Sequence, residues 1–199
     1  GMGKALAESY PAAQAVFARI VADACVPDLC ILNAGTHVPD RVTDIDPEHF
    51  DRVMKINVYG TVTCLAALMP AFIERGRGHV AVVSSVAGYR GLPYAAAYGA
   101  SKAALLNMCE GMQPELAAHG VRLSIVNPGF VRTPLTDRNR FSMPFLMEVD
   151  DAARSMRSGL DSGRFEITFP KRFTWMLKGF RLLPIAIYLR LTRRLLRSH

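Results

Sequence analysis

Three short runs constrain the fold most: Asp28-Leu-Cys-Ile-Leu-Asn33, His79-Val-Ala-Val-Val-Ser84 and Val121-Arg-Leu-Ser-Ile-Val126. The first two are dominated by consecutive apolar residues, and the third closes on Ile125-Val126. A strand with one face in water alternates apolar and polar positions, whereas a strand covered on both faces does not. Long helix-period segments separate the runs. Pro47 opens one through Phe50, Val53, Met54, Ile56, Leu65, Leu68 and Phe72 to Gly76. Another extends from about Ala95 to His119, with Pro114 predicting a kink or a restart. Residues 4–10 and 11–24 also read as helices, with Pro11 suited to a first turn. Residues 135–160 read as polar and helical with a Met/Phe-rich middle, and Phe165-Glu-Ile-Thr-Phe169 as a final strand. Strands alternating with helices predict an α/β fold with a doubly wound parallel sheet.

Composition narrows the function classes. Half of the 199 residues are hydrophobic and 21% are charged, as in a globular domain. The net charge of +7 is concentrated. Residues 171–199 hold eight of the 24 Lys and Arg and none of the 17 Asp and Glu, leaving 16 basic against 17 acidic residues elsewhere. The basic balance belongs to the tail, which argues against nucleic acid as a partner. Cys25, Cys30, Cys64 and Cys109 lack zinc or CxxC spacing and sit in apolar stretches, so they read as reduced core thiols of a cytoplasmic protein. The histidines show no metal-ligand spacing, so no metal is expected. No uninterrupted apolar run reaches the length of a membrane span, and no signal sequence is visible.

Ligands of open parallel sheets bind beyond the carboxyl ends of the strands. Small polar residues gather there: Asn33 to Gly35, Ser84 and Ser85, and Pro128 to Thr133. Tyr98 and Lys102 stand four residues apart in Tyr98-Gly-Ala-Ser-Lys102, one turn from each other on a helix. An ammonium beside a phenol favours the phenolate, so Lys102 is expected to lower the pKa of Tyr98 from its free value of about 10. Ser85, thirteen residues before Tyr98, could hold the oxygen whose proton moves. Tyr94 has no lysine four residues on and reads as packing or pocket wall.

In order and spacing, Asn33-Ala34-Gly35, Asn57-Val-Tyr-Gly60, Ser85, Tyr98-x-x-x-Lys102 and Pro128-Gly129-Phe-Val131-Arg-Thr133 resemble the classical short-chain dehydrogenase/reductase family. The resemblance covers Gly1 to about Thr133 by motif and continues to about Phe169 by pattern. It implies a Rossmann-like sheet, NAD or NADP as cofactor, and hydride transfer between that cofactor and a carbonyl/alcohol substrate. Tyr98 would be the general acid/base and Ser85 would hydrogen-bond the reacting oxygen. Lys102 would hold the nicotinamide ribose, and Asn57 would place a water for proton relay. Asn33, Ala34 and Gly35 would line the adenosine side. Pro128, Gly129, Val131 and Thr133 would hold the nicotinamide. Ser84 rivals Ser85, and the thirteen-residue spacing favours Ser85. The family also implies a homodimer or homotetramer formed through helices 47–74 and 95–119.

The departure from the family is at the front. Gly1-Met2-Gly3 resembles the end of the glycine-rich pyrophosphate loop, so Gly1 and Gly3 would contact the cofactor. The strand before that loop is absent. After the first helix the family has a strand, a helix and a strand, but here Tyr10 runs into Pro11. The missing elements need on the order of 30–50 residues. The expectation is therefore two joined pieces of a chain of roughly 250 residues, discontinuous at 10/11, without its first, second and third strands. A truncated pseudoenzyme without cofactor is the rival. Residues 1–170 would form the catalytic domain, and 171–199 a basic amphipathic helical tail packed on it. Pro184 divides that tail into two helices. Its apolar residues are spread too widely for one clean face, which favours packing over peripheral membrane contact. Phe141, Met143, Phe145 and Met147 would wall an apolar substrate pocket. A non-catalytic dinucleotide-sensing or interaction protein of the same fold is the alternative. The complete Asn57, Ser85, Tyr98 and Lys102 set favours an enzyme.

Overall fold

The structure, a computed structural model, describes residues 15, 16, 19, 26–134, 136 and 143–196. Gly1, Gly3, the helix at 4–10 and the Tyr10/Pro11 junction lie outside the described residues. Of the helix at 11–24 only Ala15, Val16 and Arg19 are described, and they are helical.

Among the described residues the sheet has four parallel strands in the order β1 (Leu29–Leu32), β2 (Gly78–Val83), β3 (Val121–Pro128) and β4 (Glu166–Phe169). The register sets Leu32 beside Val82, Val83 beside Val126 and Pro128 beside Phe169. All four strands therefore end along one edge, where the small polar residues begin.

Helices cover both faces. On one face, α1 (Pro47–Met54) passes through a π-turn at Lys55–Tyr59 into α2 (Gly60–Arg75), with α3 (Ala96–Ala118) beside it. Leu68 and Phe72 of α2 and Leu105 and Cys109 of α3 are buried against Val80, Val82 and Ile125. On the other face, α4 (Val149–Asp161) sets Ala152 and Leu160 against Ala81, Val83, Val126 and Ile167. Local chemistry explains where the first helix starts: Asp46 accepts a hydrogen bond from Glu48 N at 2.9 Å, and Pro47 occupies the first turn. The run Pro47–Arg75 is long and apolar enough in composition to cross a membrane, but half of its most apolar stretch is buried in the fold, as in a core helix.

Two expectations need correction. Pro114 does not restart α3, which is continuous from Ala96 to Ala118. Pro114 and Glu110 are both exposed, so the carbonyl that the proline leaves without its helical partner is open to water. Residues 143–148 are not helical. Pro144 opens a turn, Phe145 takes φ 59°, and Met147 bridges to Val131 in an extended arrangement. The helix begins only at Val149.

The tail forms α5 (Lys171–Leu182) and α6 (Ile185–Leu196), divided at Pro184. Phe173 of α5 joins the α2/α3 core. Tyr188 of α6 is buried and donates to Gly91 O at 2.5 Å. Cys30, Cys64 and Cys109 are free thiols, and Cys25 lies outside the described residues.

Candidate active site

β2 ends at Val83 and hands the chain to Ser84 and Ser85. Ser84 Oγ donates to Lys102 O at 2.9 Å, tying the strand end to α3. Ser85 caps a single 3-10 turn at Val86–Gly88, its Oγ accepting from Ala87 N at 3.1 Å. Gly88 then passes so close to α3 that an added Cβ would stand 2.7 Å from the Lys102 carbonyl carbon. Only glycine allows this approach. The loop and the helix are locked together, so Ser85, Tyr98 and Lys102 are held by three neighbouring elements.

Lys102 is buried, and its Nζ donates to Val83 O at 2.9 Å and lies 5.7 Å from the centre of the Tyr98 ring. Burial pulls the Lys102 ammonium down to about 8. Tyr98 is half-buried. Burial pushes its phenol above the ordinary value, and the hydrogen bond with Ser85 pulls the other way without winning. This corrects the expectation that Lys102 lowers the Tyr98 pKa. The ammonium is aimed at a carbonyl rather than at the phenol oxygen, and desolvation is the larger effect.

Asn57 sits in the π-turn between α1 and α2, fully buried. Such turns often mark functional sites. Its Oδ1 accepts from Thr36 N at 2.7 Å, and its Nδ2 donates to Thr36 O at 3.0 Å and Ser101 Oγ at 2.9 Å. Ser101 Oγ donates in turn to Tyr98 O at 2.7 Å. Asn57 thus links the loop after β1 to the turn of α3 that carries Tyr98. Asn33, Ala34 and Gly35 are exposed at the β1 end of the edge. A Cβ on Gly35 would lie 3.5 Å from both Asn57 Oδ1 and Lys102 Nζ, so this loop reaches the same centre.

Residues missed by sequence reasoning complete the frame. Asp40 accepts from Ala96 N at 2.8 Å and Ala97 N at 2.7 Å, placing a carboxylate on the amino end of α3. The His37 ring lies 4.6 Å from the Tyr98 ring, tilted by 48°. Neither has a local signal, because each partner is more than fifty residues away in the chain.

The segment Pro128 to Thr133 follows β3. Gly129 N donates to Phe169 O at 2.7 Å, and a Cβ on Gly129 would stand 2.8 Å from the Phe173 ring. Val131 is held by its bridge to Met147, and Thr133 N donates to Thr136 Oγ1 at 2.9 Å. Pro128, Gly129, Val131 and Thr133 are partly buried, beside β4 at the same edge. The structure therefore brings together Asn57, Ser85, Tyr98 and Lys102, with Asn33 to Gly35 and Pro128 to Thr133 at the ends of the flanking strands.

Residues 4–143 match the model of the short chain dehydrogenases. The chain belongs to the short-chain dehydrogenase family. An uncharacterized oxidoreductase of Myxococcus xanthus is 39% identical over 84% of this chain and 66% of its own length. The chain spans between 33% and 66% of the length of the curated relatives it matches. A crystal structure of a short chain dehydrogenase from Burkholderia cenocepacia in complex with NADP shares 31% identity, covering 89% of this chain and 74% of that one with a TM-score of 0.77. Another, from Mycobacterium paratuberculosis and bound to NAD, shares 29% identity over 81% of this chain and 69% of that one, with a TM-score of 0.70.

In this short-chain dehydrogenase chain, the loop between Ser85 and Tyr98 is fastened to β4 and the tail. Tyr89 donates to Glu166 Oε1 at 2.6 Å, Asn127 Nδ2 donates to the same oxygen at 3.2 Å, and Lys178 pairs with Glu166 Oε2. Burial pushes the Glu166 carboxyl up, and the hydrogen bonds from Lys178 and Tyr89 more than offset it, holding it below its ordinary value. Arg90 lies 4.0 Å above the Tyr188 ring and donates to the carbonyls of Phe180 and Leu183 at the turn between α5 and α6.

Proposed function

We propose that this chain carries the proton-transfer site of an NAD(P)-dependent oxidoreductase acting on a carbonyl/alcohol pair. The observation that carries the reading is the convergence of Ser85, Tyr98 and Lys102 at one sheet edge, with Ser85 hydrogen-bonded to Tyr98 and Lys102 to the end of β2.

The residues present fit a nicotinamide dinucleotide. Gly35 leaves space beside Asn57 and Lys102, where a ribose could reach the buried ammonium. Asn33, Ala34 and Gly35 would line the adenosine side, and Pro128, Gly129, Val131 and Thr133 the nicotinamide. Gly1 and Gly3 would face the pyrophosphate. The dinucleotide, when bound, supplies the hydride chemistry.

The chain's own residues handle the oxygen and its proton. Ser85 Oγ hydrogen-bonds the substrate oxygen and holds it at Tyr98. The Tyr98 hydroxyl gives a proton to that oxygen during carbonyl reduction and takes it back during alcohol oxidation. A phenol pushed up by burial starts protonated at neutral pH, the state needed to donate. Lys102, one turn further along α3, would hold the ribose hydroxyls and so keep the dinucleotide beside the phenol. Asn57 ties the Thr36 loop to the turn of α3 that carries Tyr98, and a water placed beside it would link Lys102 to solvent for proton replacement.

Phe145, held at φ 59° and 49% exposed, lies 5.9 Å from Phe173, and Phe130 lies 5.5 Å from Phe173. These rings beside Gly129 favour a hydrophobic substrate. Met147 packs beside Val131 on the α4 side instead, and Phe141 lies outside the described residues.

The test is Tyr98→Phe, followed by NAD(P)H consumption with a panel of apolar ketones and by direct dinucleotide binding. Turnover is expected to fall by about 10²–10⁴ with dinucleotide binding retained. Equal turnover by the variant would remove Tyr98 from the chemistry.

A further inference from the structure

The α5–α6 hairpin has an inner and an outer side. Its inner side is anchored through Phe173, Lys178 and Tyr188. The hairpin also holds large apolar groups in water: Trp175 is 70% exposed, Leu182 86% and Ile185, just past the turn, 62%. Trp175 and Leu182 are seven residues apart in α5 and so share one side of it. Gly179 lies between them, and a Cβ there would meet open space. Across the turn, Ile187 and Leu189 of α6 are also exposed. Exposed Lys171, Arg172, Arg181, Arg190 and Arg193 surround these groups, with no carboxylate anywhere in 171–199.

Packing at Phe173 and Tyr188 leaves these apolar groups in water. Apolar groups rimmed by charge of one sign fit an anionic, fluid, half-apolar surface. A second copy of the chain would bring the same cations against themselves. Duplex nucleic acid would satisfy the arginines and offer no place for Trp175, Leu182 and Ile185. We infer that the outer side of the α5–α6 hairpin docks this protein on the surface of an anionic phospholipid bilayer, with Trp175, Leu182 and Ile185 entering the interface and the arginines meeting phosphates. This goes beyond the oxidoreductase reading and does not depend on it.

Trp175 is the sole tryptophan of the chain, so its fluorescence reports on this surface alone. The chain is titrated with vesicles of phosphatidylcholine, with and without an equal part of phosphatidylglycerol, and sedimented with each. The expected result is co-sedimentation and a shift of Trp175 emission to shorter wavelength with the anionic vesicles. Affinity for phosphatidylcholine alone should be roughly tenfold or more weaker, and added salt should reverse the binding. An Arg190→Gln/Arg193→Gln variant should lose roughly tenfold or more in affinity for the anionic vesicles. Leu182→Ser/Ile185→Ser should lose the emission shift, with a thermal melt like that of the parent. Three results would overturn the inference. One is no shift and no sedimentation with anionic vesicles. Another is a shift that grows with protein concentration in the absence of vesicles, which would assign the surface to a second copy. The third is tight binding to duplex DNA that Leu182→Ser/Ile185→Ser leaves intact.

Discussion

The face of the sheet that carries α4 differs between its two ends. At β3 and β4, Val126, Ile167 and Phe169 are buried beneath Ala152 and Leu160. At β1, Leu29 and Ile31 are 42% and 43% exposed, although Ile31 pairs in register with fully buried Ala81. The proposed site divides the same way. Ser85, Tyr98 and Lys102 sit in the closed part, where Gly88 is pressed on α3 and Ser84 is bonded to it. Asn33, Ala34 and Gly35 stand exposed at the β1 end. The proton-transfer part of the site is thus held by tight packing, whereas the residues that would meet the adenosine are exposed.

The contrast predicts where substitution is felt. Phe169→Ala, in the closed half of this face, should cost about 3–5 kcal/mol by chemical denaturation, since the ring is buried. A cost near zero would break the contrast at its strong end. Lys102→Met should change the pH dependence of stability. The folded chain releases the Lys102 proton at about 8, and the unfolded chain near the ordinary 10.5. Between these values the unfolded state binds more protons, so the wild type gains stability as pH rises, by up to roughly 3 kcal/mol. The variant should be the more stable protein below pH 8, and its advantage should shrink across that window. A constant difference from pH 7 to 10.5 would mean that Lys102 is not desolvated.

Smaller effects sharpen the comparison. Gly88→Ala forces a Cβ against the α3 backbone and should cost about 1–3 kcal/mol, with weaker dinucleotide binding as Lys102 shifts. Asp40→Ala removes the carboxylate from the amino end of α3 and should cost about 1 kcal/mol. At the open end, Ile31→Ser should stay within about 0.5 kcal/mol of the parent. A loss as large as that of Phe169→Ala would show that β1 is as enclosed as β4.

Much of this architecture was legible because it is written in local patterns. Runs without polar alternation marked β1 and β2, the apolar positions of Val121 to Val126 marked β3, and helix-period apolar residues marked α2 and α3. The four-residue spacing of Tyr98 and Lys102 needed only a helix to become a pair. What could not be read depends on distant partners or on competition between physical effects. Asp40 meets α3 across more than fifty residues, and Glu166 collects Tyr89, Asn127 and Lys178 from three separate elements. The π-turn at Asn57 looked like ordinary helix, since side-chain periodicity hardly registers one widened turn. The Tyr98 pKa was misread because spacing reveals a neighbouring charge but not the depth of burial. The turn at Pro144 and Phe145 was lost in a segment whose composition resembled a helix.

The central claim is that Ser85 and Tyr98 act as one unit on a single oxygen. A double-mutant cycle on turnover tests it most directly, with Ser85→Ala, Tyr98→Phe and the double variant compared at saturating dinucleotide. The account predicts a large loss from each single variant and a double variant no slower than Tyr98→Phe alone. Losses that multiply in the double variant, or a Ser85→Ala variant with parental turnover, would contradict it.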